Sequence, residues 1–250
     1  MCGNFLITAD GEVLSMKLFR EWRLARIMHG AEIADQWYPM FITRPSDRLP
    51  VVKPASGNPL ELEFTLMEWG LKSRDWNDPK KIKIHVNARG ESIHRLPSFR
   101  EPFRKRRCLV LADGFFEPDK ETRQPWLIRF RDRRLFAIAA VFSPAFHHEE
   151  TGRDYSEAFT LVTTQPNGLI GTTVRHDRMP VLFSDPRDMQ AWIDPKAGPE
   201  ELRTLFRSHS DLELEAHEVS RGIYKMGSHD PAVLKPLDAG EHGPLQTSLL

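Results

Sequence analysis

Four short segments carry side chains able to make and break bonds. Met1-Cys2-Gly3 opens the chain. Small residues after an initiator methionine commonly permit its removal, which would leave Cys2 with a free α-amine beside its thiol. An α-amine has a pKa of about 7.7–8.0 against about 10.4 for lysine, so a sizeable minority is free base at neutral pH. Such an amine forms a Schiff base with an aldehyde, and the neighbouring thiol closes onto the imine carbon as a five-membered thiazolidine. The second segment, Asn87-Ala88-Arg89-Gly90-Glu91-Ser92, follows an alternating strand pattern. Asn87 offers an amide to orient a substrate, and Arg89 offers a guanidinium for a phosphate. In the third, Arg107 to Glu117, a carboxylate stands beside Phe115 and Phe116 after an Asp113-Gly114 turn. That setting suits a raised pKa and general acid–base work by Glu117. The fourth, His176-Asp177-Arg178-Met179-Pro180, supplies an imidazole that titrates near neutrality, with Asp177 or Arg178 placed to orient it.

Taken singly, each segment also has an ordinary reading. Cys2 is then an accidental cysteine, Asn87–Ser92 a polar turn, Glu117 a surface carboxylate flanking a packed Phe pair, and His176 a structural imidazole. Cys108 lies inside an apolar run and is expected to be an inert core thiol. His147-His148 has no acidic partner at metal-ligand spacing and is assigned no role.

The composition limits what can surround these segments. A chain of 250 residues with 40% apolar content, 15 Phe and 6 Trp is able to bury a sizeable core and does not read as disordered. No apolar run approaches the roughly 18 residues of a membrane helix. Asp10 and Glu12 interrupt any signal-like stretch. Two cysteines make neither a disulfide framework nor a paired zinc motif. A cytosolic protein is expected. The net charge of zero conceals an asymmetry: Arg95–Arg134 holds twelve basic and six acidic residues, whereas Asp185–Glu218 holds four basic and nine acidic. The run Arg104-Lys105-Arg106-Arg107 is the densest patch, either a phosphate-attracting face or a solvated turn.

Period-two patterns dominate the elements that must position the four segments. Leu62, Phe64 and Leu66 alternate with polar residues, as do Ile82, Ile84 and Val86, whose strand runs straight into Asn87. Strands are also expected over Cys108–Ala112, Trp126–Phe130, Leu135–Phe142 and Ala158–Thr163, and around Leu212, Leu214 and Ala216. Helices are expected over Ser15–His29, from Asp185-Pro186 through Trp192, and over Pro199–Ser208. His147–Tyr155 reads as a loop. The fold class is α+β: one β-rich domain of mostly antiparallel strands with peripheral helices over residues 1–238, then a flexible tail over 239–250.

Together the ordered segments resemble the SOS-response-associated peptidase family of abasic site processing proteins. Its pattern is an N-terminal Met-Cys-Gly, then Asn-Ala-Arg-x-Glu, Arg-Cys-Leu-x-x-x-Asp-Gly-Phe-aromatic-Glu and His-Asp-Arg-Met-Pro, all present here in that order. Met67-Glu68-Trp69-Gly70-Leu71 resembles the family's Trp-Gly-Leu stretch, and Glu218-Val219-Ser220-Arg221 its closing Val-Ser strand. The resemblance covers Cys2 to about Pro236.

The resemblance implies a set of roles. Cys2, freed of Met1, would capture the ring-opened aldehyde of an abasic site in single-stranded DNA as a thiazolidine crosslink that shields the lesion. Asn87 would hold the Cys2 region and the opened sugar, Glu117 would act as acid and base in Met1 removal and ring opening, and His176 would shuttle protons. Arg89 would hold a flanking phosphate, Trp69 or Trp76 would stack a base, and Arg178 is counted with the DNA-contacting residues. Neither cofactor nor metal is implied, and the protein would act as a monomer away from membranes. The family commonly has Arg where this chain has Asn4 and Trp where it has Pro118, which implies one phosphate contact fewer and a different backbone after Glu117. Two other readings use the same residues: a cysteine peptidase acting on peptides, with Cys2, His176 and Glu117 at its site, or a non-covalent binder of single-stranded nucleic acid.

Overall fold

The alternating and apolar runs become strands in the computed structural model, which describes residues 3–16, 22, 27–29, 37–55, 58, 61–74, 78, 80–227 and 229–237. In chain order they are β1 (Asn4–Leu6), β2 (Ile27–His29), β3 (Arg48–Pro54), β4 (Leu62–Trp69), β5 (Leu71–Arg74) and β6 (Ile82–His85). There follow β7 (Asn87–Arg89), β8 (Arg107–Ala112), β9 (Gly114–Pro118), β10 (Pro125–Phe130), β11 (Phe136–Ser143) and β12 (Phe146–His148). The last five are β13 (Arg153–Tyr155), β14 (Ala158–Thr164), β15 (Met179–Pro180), β16 (Leu182–Phe183) and β17 (Leu214–Glu218). The described α-helices are short: α1 (Gly11–Met16), α2 (Gly90–Ile93), α3 (Pro97–Lys105), α4 (Pro186–Ile193) and α5 (Pro199–Thr204). Apart from three parallel pairings, β14 with β4, β14 with β7 and β2 with β4, the described ladders are antiparallel, the α+β class expected.

One path of strands closes on itself. β14, β11, β8, β3 and β4 succeed one another, and β14 pairs back onto β4 through Ala158↔Glu68 and Phe159↔Trp69. Closure removes the exposed edges an open sheet would present. β8, β11 and β14 read as continuous apolar runs rather than alternations because they are buried at every position, with α3 packed against β8 and β11 and α4 against β8. A second sheet, ordered β1-β9-β10-β17, is antiparallel throughout.

The expected tight turn at Asp113-Gly114 is instead the crossing from ring to second sheet, because β9 begins where β8 has barely ended. Gly114 is required there: a Cβ would lie 2.7 Å from Leu6 Cδ2 and 3.1 Å from the Ile128 carbonyl, between β1 and β10. Asp113 is buried at the crossing and accepts the Thr8 backbone N–H at 2.7 Å, as well as the Thr8 hydroxyl.

Other expectations are corrected by tertiary pairing. The helix expected over Ser15–His29 meets a helix ending at Met16, and Ile27–His29 instead forms a parallel ladder along β4. Residues 17–21 and 23–26 lie outside the described residues. His147–Tyr155 is largely a hairpin, closed by the stacked Phe146 and Tyr155 rings 5.1 Å apart and a 2.7 Å His147–Asp154 pair. Leu212 is an exposed residue of a 3-10 turn ahead of β17. α4 starts where the sequence places it, with the Asp185 carboxylate accepting Arg187 N–H at 2.8 Å. The tail over 239–250 lies outside the described residues, and among the described residues no helix is long and apolar enough to cross a membrane.

Candidate functional site

Along β9 the side chains alternate between faces, so Phe115 and Glu117 share one face and Phe116 takes the other. Phe115 joins the main core and Phe116 a smaller cluster with Leu6, Ile42 and Leu127. Glu117 is therefore aimed inward and is fully buried. Burial penalises its charged form and pushes the carboxyl up to about 8, with the Asp177 charge adding to the effect. The sequence expectation of a raised pKa beside two aromatics is met.

His176 reaches Glu117 from a different part of the chain. Its Nε2 lies 3.5 Å from Glu117 Oε2, with side-chain exposures of 4% and 0%. Its Nδ1 lies 2.9 Å from the Arg178 carbonyl, so an Nδ1–H donor leaves the Nε2 lone pair facing Glu117. Burial depresses the imidazole below its ordinary value, outweighing that backbone bond. At neutral pH the pair is a neutral carboxylic acid facing a neutral imidazole.

Two loops are clasped to hold this geometry. Arg175 sits in the left-handed backbone region (φ 55°) and donates from Nε to Asp119 Oδ2 at 2.6 Å. Lys120 Nζ pairs with Asp177 Oδ2 at 2.7 Å. The residues just after Glu117 are thus tied to those on either side of His176. Of the two residues the sequence offers for orienting His176, Arg178 meets its Nδ1 through the backbone, and Asp177 holds the clasp.

Asn87 and Arg89 lie on β7, paired in parallel with β14 as Asn87↔Leu161 and Thr163↔Arg89. Asn87 is half-buried and Arg89 is exposed. Arg178 joins this strand to the His176 segment: its fork donates to both Glu91 oxygens at 2.7 and 2.8 Å and to the Thr163 carbonyl at 2.7 Å. With its guanidinium buried and engaged, Arg178 is a clamp between motifs, which corrects its expected place among DNA contacts. Trp69 is corrected too. It is 0% exposed, its Nε1 donates to the Val86 carbonyl at 3.0 Å, and its ring lies 4.9 Å from Phe5 and 6.3 Å from Phe159. A ring packed in that way has no face to offer a base. Cys2 and Trp76 lie outside the described residues.

Sequence reasoning missed Trp126. It lies directly opposite Glu117 in the β10–β9 register, on the same face, and its buried Nε1 has no hydrogen-bond partner among the described residues. The β9–β10 hairpin register brings it there. Asn4 donates from its side chain to the Thr43 carbonyl at 2.7 Å, and Pro118 faces Pro125 at the far end of β9. Cys108 is buried, and burial pushes its thiol far up, so it is the inert core thiol expected.

Comparison with known proteins adds to this geometry. The model of a family described as SOS response associated peptidase (SRAP) matches residues 1–226. The abasic site processing protein YoqW of Bacillus subtilis is 28% identical over 241 residues, 94% of this chain and 99% of that protein. YoaM of the same organism, another abasic site processing protein, is 31% identical over 83% of this chain and 88% of its own length. The abasic site processing protein HMCES of Pongo abelii is 26% identical over 82% of this chain and 67% of its own. A crystal structure of a Bacteroides thetaiotaomicron protein shares the fold, with a TM-score of 0.78 at 22% identity over 94% of this chain and 100% of that one.

Proposed function

Because the chain belongs to the SOS response associated peptidase family, we propose that it processes abasic sites in DNA, capturing the lesion in single-stranded DNA as a covalent thiazolidine on Cys2. The observation that carries this reading is the register of β1 on β9. Asn4 stands opposite Phe116, so the first described strand begins beside Glu117, which neighbours His176. Cys2 is two residues before Asn4, and covalent geometry keeps the two Cα atoms within about 7 Å.

The two protonation states suit the steps required. An abasic sugar is mostly a closed hemiacetal and must open before an amine can attack. Glu117, protonated at neutral pH, donates to the ring oxygen while the neutral His176 Nε2 takes the hydroxyl proton. The Cys2 amine then adds to the aldehyde carbon, and the carbinolamine loses water with a proton returned by the same pair. Thiol addition to the imine carbon transfers the sulfur proton to nitrogen and closes the ring. One water leaves overall, and no oxidant or cofactor takes part.

Asn87 orients the opened sugar and the chain start, and Arg89, exposed beside it, pairs with a flanking phosphate. Trp76 takes over base stacking from the buried Trp69, and the Trp126 indole N–H is a donor toward the sugar. Met1 is removed beforehand with Glu117 as acid and base. The protein acts as a monomer.

The test is a denaturing gel of protein mixed with single-stranded DNA carrying one abasic site. A heat-stable shifted band with the wild type and none with Cys2→Ala supports the reading. A shift that survives Cys2→Ala sinks it. Multiple turnover on unrelated peptides would favour the peptidase reading instead.

A further inference from the structure

The basic run noted in the sequence divides on folding. Arg107 turns inward, where its guanidinium donates to the Phe103, Arg104, Trp192 and Asp194 carbonyls at the ends of α3 and α4. Arg106 is half-buried and engages Glu101 and the Phe142 carbonyl. On α3 the apolar residues Phe99, Pro102 and Phe103 face the core, leaving Arg100, Arg104 and Lys105 exposed. Arg89 and Arg95 are exposed ahead of them. Among the described residues none of these five forms an ion pair. The two acidic side chains of the region are already engaged, Glu91 by Arg178 and Glu101 by Arg106.

Arg100 and Arg104 are an i, i+4 pair of like charge, an arrangement that opposes helix formation unless an anion lies across it. They stand one turn apart, about 6 Å along the axis, the scale of successive phosphates in an extended strand. Two cavities flank the helix. One of about 540 Å³ is mainly apolar, with Leu71, Pro102 and Phe146 in its lining beside Arg74 and Arg106, and one of about 590 Å³ is lined by Arg100, Arg104 and Lys105; Pro97 and Glu101 belong to both.

The helix is also joined to the site already described. The Phe99 ring lies 4.8 Å from the His85 ring, and Ser98 Oγ lies 3.0 Å from Ser73 Oγ. These contacts fix α3 to the β5–β6 hairpin, whose second strand leads through Val86 into Asn87. From these observations we infer that the outer face of α3 is a lesion-independent track for the phosphate backbone of single-stranded DNA, continuing from Arg89 through Arg95. The helix turns its apolar residues inward, so it has no wedge for a lipid surface. The inference rests on the proposed DNA-directed function and extends it beyond the lesion.

The test is equilibrium binding of an undamaged single-stranded oligonucleotide, about 30 nucleotides long and so larger than one short binding site, across a salt series. Wild type is compared with Arg100→Gln/Arg104→Gln/Lys105→Gln, three exposed positions at which folding is checked by melting. Losing three phosphate contacts lowers the log-affinity against log-salt slope by about 2, so the variant loses about 20-fold less affinity than wild type between 50 and 200 mM salt. An unchanged slope overturns the inference. Arg100→Lys/Arg104→Lys keeps the wild-type slope; if it falls like the glutamine variant, the helix acts through packing and the inference fails. An equal change of slope on polyglutamate would assign the face to acidic polymers in general and overturn the assignment to DNA. Normal crosslinking with an unchanged slope removes only this inference, whereas absent crosslinking with the slope difference intact removes only the crosslinking mechanism.

Discussion

Glu117 Oε2 and His176 Nε2 lie 3.5 Å apart, the carboxylate on a strand of the second sheet and the imidazole on a loop leading back into the closed ring. Burial moves their pKa values in opposite directions, so each occupies its neutral form at the pH where the other is useful. A separation of this kind is what the proposed acid and base roles require.

The first prediction concerns pH and stability. Glu117 has a reference value of 4.5 and is raised to about 8 in the fold. Between those values the folded state holds a proton that the unfolded chain has released. Stability from this group is therefore lost as pH rises through the window, by at most about 1.4 kcal/mol per pH unit. His176, depressed below 6.5, acts oppositely: its penalty is present at low pH and relieved as pH rises. Glu117→Gln removes only the first effect. Its melting temperature relative to wild type should climb from pH 5 to pH 8, and parallel curves would refute the buried-acid assignment.

Arg178 makes a second prediction. Arg178→Ala removes a buried fork that serves the Thr163 carbonyl and the half-exposed Glu91, and should cost about 1–3 kcal/mol in a denaturant melt, since Glu91 regains water while the Thr163 carbonyl loses its donor. Arg178→Lys should recover only part of the loss, because one ammonium does not reproduce the bidentate grip. A fully stable alanine variant with weakened DNA binding would return Arg178 to the DNA-contacting set.

Trp69 supplies a third. Trp69→Ala should destabilise by about 3–5 kcal/mol, as expected for emptying a large core site, while Trp69→Phe keeps DNA affinity at the wild-type level. Loss of affinity in a stably folded phenylalanine variant would mean that the indole meets a base after all.

The buried thiol supplies a fourth. In a Cys2→Ser chain a thiol reagent should leave Cys108 unmodified in the native state and label it once the protein is unfolded, since Cys108 is fully buried with its thiol pushed up. Rapid labelling of the native chain would contradict that environment.

Much of this site is visible in the chain because the chemistry sits in short contiguous segments. Asn87 follows a strand whose alternation over Ile82 and Ile84 is plain, and the Phe-Phe-Glu run already announces a carboxylate in apolar surroundings. What could not be read are the relations between segments. Trp126 meets Glu117 through cross-strand register, and the Asp119–Arg175 and Lys120–Asp177 pairs join residues more than fifty positions apart. Trp69 looks like an accessible aromatic at a strand end until β14 pairs back onto β4 and encloses it. Ile27–His29 continues a helical spacing, yet the neighbouring β4 backbone draws it into a ladder.

The most direct test of the covalent account is peptide mapping by mass spectrometry of protein incubated with abasic single-stranded DNA and then digested with nuclease and protease. The account predicts that the sugar remnant is found only on the peptide beginning at Cys2, with Met1 absent and the Cys2 thiol no longer alkylatable. A remnant on a lysine, or on a peptide retaining Met1, would contradict it.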